Sequence, residues 1–109
     1  MSKFIIVQTT IKKEDSDSFI QKVFEKGYTF CVHSYDISSR YFWDGKICKD
    51  LEVAVLFKAK KKDYKKLYEC IKENHNYETP EILVFNIKKI GKQYKKWGVK
   101  SLKALKALK

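Results

Sequence analysis

Ser39-Arg40-Tyr41-Phe42-Trp43-Asp44-Gly45-Lys46-Ile47-Cys48-Lys49-Asp50-Leu51 reads as a hairpin folded about its centre. Aromatic and β-branched residues lead up to Asp44-Gly45 and resume after it. Asp-Gly between two strand-like runs is a strong hairpin signal, because the favoured two-residue turn needs positive φ at both central positions. Residues 37–43 therefore enter the turn. Residues 46–58 return from it as a strand, with Leu51-Glu52-Val53-Ala54-Val55-Leu56-Phe57 as its apolar centre.

Working outward, residues 28–35 form the start of the entering strand, which continues into 37–43 past an irregularity expected at Asp36. Residues 4–11, rich in β-branched side chains, make an earlier strand. Between them, Glu14, Asp15, Ser16 and Asp17 open a helix whose Phe19, Ile20, Val23 and Phe24 recur at helical spacing, with Gly27 placed to stop it. After the hairpin, residues 60–74 carry Tyr64, Leu67, Tyr68 and Ile71 on one helical face. Residues 82–87 supply a fourth strand, residues 91–97 a short aromatic coda, and a basic tail follows. The order β-α-β-β-α-β is the split βαβ of an α+β, ferredoxin-like sandwich, with two helices on one face of an antiparallel four-stranded sheet. Phe4, Ile6, Val53, Val55, Phe57, Leu83 and Phe85 alternate with other apolar residues, so the second sheet face also needs a cover. Self-association is the simplest one.

The chain of 109 residues suits one domain, assigned to 1–98, followed by a basic amphipathic tail at 99–109. The net charge of +11 is concentrated at the end, where 88–109 holds nine lysines and no acid. The remainder has 15 basic residues against 13 acidic ones. A near-neutral body and a single arginine, Arg40, argue against a nucleic-acid groove across the fold, so no nucleic-acid partner is expected. Leu102, Leu105 and Leu108 lie at i, i+3 spacing among the tail lysines. That pattern fits a basic helix on an anionic surface, or a frayed end. No apolar run approaches the length of a membrane span, and the first residues pass directly into a strand, which reads as cytoplasmic. Cys31, Cys48 and Cys70 are odd in number and widely spaced, as expected of reduced thiols. Cys31 and His33 share a strand face, but a core cysteine beside an edge histidine is the commoner arrangement.

The stretch His75-Asn76-Tyr77-Glu78-Thr79-Pro80-Glu81 holds the densest candidate chemistry. Pro80 fixes its own φ and pushes Thr79 out of the helical region, which gives the segment a defined extended path. His75 is either a helix-end histidine or a metal ligand. Glu78 and Glu81 have no nucleophile or glycine-rich phosphate loop beside them, so no enzyme is expected. Tyr41, Trp43, Tyr77 and Trp97 suit stacking on a planar ligand or packing in a subunit interface. Lys58 suits a carboxylate such as Glu81 or Glu52 across a subunit boundary, or an anionic ligand in the cleft.

Cys31-Val32, Ser39 to Gly45 as Ser-x-Tyr-x-Trp-x-Gly, Glu52 with Lys58, His75 to Glu81, and Tyr94-Lys95-Lys96-Trp97 occur in one order, and together they resemble the CutA divalent-cation-tolerance family. The resemblance covers nearly the whole domain. It implies a homotrimer similar to PII-type signalling proteins. It also implies clefts between subunits where Ser39, Tyr41, Trp43, Lys58, Tyr77, Glu78, Glu81, Tyr94 and Trp97 gather. Copper or another divalent metal is the implied ligand, with no cofactor required. The positions matching the proposed copper ligands of bacterial relatives are Gln8, Asn74 and His75, which leaves His75 as the metal residue. Asn76 replaces the family proline, His33 replaces an asparagine, and the loop before Ser39 is one residue shorter. The alternative is a PII-like sensor or scaffold that takes an anionic metabolite or a protein partner without metal.

Overall fold

The computed structural model describes residues 3–108; Met1 and Ser2, within the expected 1–98 domain, and Lys109, the last lysine of the expected tail, lie outside the described residues. Strand β1 (Phe4–Lys12) alternates between two cores. Ile5, Val7 and Ile11 join Phe19 and Val23 of α1 (Lys13–Glu25) and Leu67, Cys70 and Ile71 of α2 (Tyr64–Asn74). Val53, Val55 and Phe57 of β3 (Lys46–Lys60) complete that core. Helix α1 stops where expected, with Gly27 at φ 86°, in the left-handed region that glycine adopts without strain. A short 3-10 turn (Lys61–Asp63) leads into α2.

With β2 (Cys31–Trp43) and β4 (Leu83–Asn86), the strands are ordered β2-β3-β1-β4 and every neighbouring pair is antiparallel. This is the expected sandwich order. At the hairpin, Asp44 and Gly45 have φ of 51° and 78°, and Trp43 pairs with Lys46 across them. The irregularity expected at Asp36 is absent, since Asp36 pairs with Val53 in an unbroken register from Cys31 to Trp43. Strand β1 ends its pairing at Lys12 opposite Glu52. Beyond that point β2 and β3 continue alone as a two-stranded arm. Phe42, Ile47 and Leu51 on this arm are 73%, 78% and 77% exposed.

The coda and tail form one continuous helix, α3 (Lys92–Ala107). The boundary placed between residues 98 and 99 falls inside it. Gly98 lets the helix approach Phe30, because a Cβ at that position would lie 2.8 Å from two ring atoms. One turn on, Leu102 is 1% exposed and packs with Phe4 and Phe30, with Ile87, Ile90 and Val99 around them. The second sheet face is thus covered at the Phe4 end. Leu83, Phe85 and Tyr35 on the same face stay 46%, 48% and 54% exposed.

Replacing Leu102 by alanine should lower the free energy of unfolding by about 2–5 kcal/mol, as for a buried leucine in a core. Urea titration followed by circular dichroism measures this. A variant as stable as the parent would mean that residues 99–108 are a separable tail.

Candidate functional site

Helix α2 ends at Asn74, and His75 leaves it with extended backbone at φ −89° and ψ 141°. The segment 75–82 then runs along the root of the arm, where it brings Tyr77 against β3. The Tyr77 hydroxyl donates to the Glu52 carboxylate at 2.5 Å. Glu52 is only 6% exposed, so this bond supplies a buried carboxylate with a donor it needs. Burial first, and the bond to Glu52 second, raise the pKa of Tyr77 above the ordinary phenol value. On the arm itself the Tyr41 hydroxyl donates to Asp50, and that bond chiefly pushes its pKa up to about 12. Asp50 and Glu52 lie two residues apart on β3 and therefore share a sheet face.

These groups, with Ser39, Trp43, Glu78 and Glu81, line an open cleft of about 810 Å³. Gln8 donates to Glu81 at 3.1 Å, and Asn76 donates to Asp15 of α1 at 2.8 Å, so both ends of the segment are tied down. Four carboxylates, Asp50, Glu52, Glu78 and Glu81, face two cations, Lys12 and Arg40. The cleft is acidic and walled by aromatic rings.

His75 lies behind the cleft wall. Its Nε2 donates to the Thr10 carbonyl at 2.7 Å, and its Nδ1 accepts from the Tyr77 backbone N–H at 3.1 Å. These partners assign the neutral Nε2–H tautomer. The ring packs edge-on against Phe19, with centroids 5.4 Å apart, and burial lowers its pKa below the ordinary histidine value. With its lone pair engaged by a backbone N–H, the imidazole has none to offer a metal. Asn74 and Gln8, at the other two matching positions, donate to the Cys70 carbonyl and to Glu81. The residues present do not fit a copper centre built on His75.

The other expected site residues lie apart from the cleft. Within one protomer Lys58 donates to the Tyr94 hydroxyl at 3.1 Å. Tyr94 stacks on Trp97 with centroids 5.5 Å apart, and both rings stand edge-on to Phe30. Lys58 is six residues along β3 from Glu52, a separation of about 20 Å. One chain therefore carries two clusters, one at each end of the same sheet face. The sequence reading missed Asp50, Arg40 and Lys12. Folding the chain about Asp44-Gly45 would have found Asp50, since Ser39 pairs with Asp50 and Tyr41 with Cys48.

A split βαβ sandwich with a helix-free stretch of apolar sheet and an acidic cleft defines a ferredoxin-like subunit of PII-like architecture. The family model described as CutA1 divalent ion tolerance protein matches residues 4–101, and the chain belongs to that family. The divalent-cation tolerance protein CutA of Thermotoga maritima is 34% identical over 94 residues, covering 85% of this chain and 93% of that protein. The structure of CutA from Synechococcus elongatus superposes with a TM-score of 0.89 at 26% identity, covering 94% of this chain and 92% of that one. The PII-like protein CutA from Nostoc has a TM-score of 0.84 at 25% identity, covering 90% and 96%.

Because the folded-state pKa of His75 is depressed, the unfolded chain takes up the proton first as pH falls. The stability it contributes is complete above the unfolded value of about 6.5 and is lost progressively below it. Urea midpoints should therefore drop more steeply between about pH 7.5 and about pH 5.5 for the parent than for His75→Gln. Parallel curves would remove His75 from the buried neutral role.

Proposed function

We propose that this protein works as a cytoplasmic, non-enzymatic cyclic homotrimer in divalent-cation tolerance, whose acidic cleft is completed by a neighbouring protomer and takes a divalent cation. The observation that carries this reading is the placement of two unlike clusters at opposite ends of one sheet face. Unlike halves meet head to tail, and a head-to-tail contact that closes makes a ring. The uncovered arm supports the same assembly, since a two-stranded hairpin is marginal alone. Covering Phe42, Ile47 and Leu51 would contribute roughly 1.5–3 kcal/mol each.

The excess of carboxylates over cations in the cleft favours a cation, and oxygen donors suit hard divalent ions better than copper. Among the described residues of one protomer no group of three His, Cys, Asp or Glu side chains converges to hold an ion. The ligand set in this reading is completed across the interface. A second reading, a sensor or scaffold trimer for an anionic metabolite or a protein partner, draws on Lys58 and on the PII-like description of the Nostoc relative.

Sedimentation velocity at micromolar concentration should give a species of three times 12.9 kDa, and a monomer would sink the assembly. Calorimetric titration with manganese, zinc and copper should show binding that His75→Gln retains and Glu78→Gln/Glu81→Gln loses. Loss in the His75 variant instead would return the imidazole to the ligand set.

A further inference from the structure

Helix α3 commits one side to the core, where Gly98 meets Phe30 and Leu102 packs with Phe4 and Phe30. The outward side presents Lys92, Lys96, Lys100 and Lys103, all exposed, at spacings of four, four and three residues. Such spacing keeps them on one helical face, along a row of about 17 Å. Together with Lys95, their stems wall a shallow depression of about 450 Å³ with Val99 on its floor. The row extends onto the 3-10 turn. Lys106 of α3 reaches Asp63 of that turn at 3.3 Å, and Lys60, the last residue of β3 just before it, has its pKa lowered by burial first and then by the like charges of Lys62, Lys106 and Lys103.

This surface is short of counter-charge. No acidic residue follows Glu81 in the sequence, and Asp63 already engages Lys106 at 3.3 Å. Clustered cations of this kind attract a polyanion. A bilayer is the poorer fit, because an interfacial helix needs its apolar side free, and on α3 the Gly98 and Leu102 side is committed to Phe4 and Phe30. Lysines act as point charges for phosphate oxygens and do not offer the planar fork that reads guanine. The row and depression match a linear string of phosphates.

We propose that the lysine face of α3, continued by Lys60 and Lys62, binds the phosphate backbone of nucleic acid without sequence preference. The surface is confined to the last helix, the end of β3 and the turn before α2. The inference is independent of the cleft and survives if the cation reading fails.

Fluorescence anisotropy of the full chain with a labelled random-sequence duplex of about 20 base pairs tests it, between about 50 and about 200 mM salt. The logarithm of the affinity should fall linearly with that of salt, with a slope of about −3 to −4 if four lysines each neutralise a phosphate. Lys96→Glu/Lys100→Glu should weaken binding by about tenfold or more at the lowest salt. Lys22→Glu/Lys26→Glu removes the same charge from exposed positions in and just after α1 and should change it by less than about threefold. Circular dichroism confirms that both variants keep the fold. Absence of binding at about 50 mM salt, equal losses in the two variants, or displacement of the duplex by phosphatidylserine vesicles would each overturn the proposal.

Discussion

The left-handed backbone at Asp44 and Gly45 is the constraint from which the distinctive parts of this molecule follow. Two consecutive positive φ values close the chain in the tightest hairpin, and that closure leaves one register for β2 on β3. Because side chains alternate with a period of two, a slip of one residue would move Tyr41 and Asp50 to the opposite face. The separate register of β1 on β3 places Glu52 opposite Lys12, where β1 ends, and there the Tyr77 hydroxyl meets a buried acceptor. The arm, the cleft and the exposed apolar patch are consequences of that one turn and of the greater length of β2 and β3 relative to β1.

The elements of the sandwich were legible because each carried its own local signal. Gly27 stopped α1, the alternation in β1 and β3 marked two apolar faces, and Asp44-Gly45 fixed the hairpin. What failed was the last helix. Residues 91–97 carry a glycine-flanked aromatic run, and the tail leucines alone suggested a peripheral amphipathic stretch. The signal was long-range, because Gly98 is a poor helix residue whose value lies in its approach to Phe30, about seventy residues earlier, and no local pattern reports such a contact. The site residues were legible as a set expected in clefts between subunits, and within one protomer they fall into two clusters. Ser39, Tyr41, Trp43, Tyr77, Glu78 and Glu81 do share the cleft, whereas Lys58, Tyr94 and Trp97 belong to the other end of the face.

His75 shows why residue type alone is a weak guide to metal. A histidine at the end of a helix has two ring nitrogens, and the chain here uses both, one on the Thr10 carbonyl and one on the Tyr77 N–H. Buried backbone groups need partners, and a neutral imidazole satisfies a donor and an acceptor at once. The ring therefore couples the end of β1 to the start of the 75–82 segment. Its place beneath the cleft wall makes it a support for Tyr77 and, through Tyr77, for Glu52.

The distribution of charge gives the molecule a direction. The arm root gathers Asp50, Glu52, Glu78 and Glu81, while lysines crowd α3 and the turn before α2, nearer the opposite end of the sheet face. The acidic end of the sheet face is suited to a cation, while the outward lysines of α3 stay exposed and suited to a polyanion. In the proposed ring the uncovered arm of one protomer would meet the Lys58 and Trp97 end of the next. The exposed apolar arm and the division of the signature residues into two unlike clusters are the grounds on which the proposed ring rests.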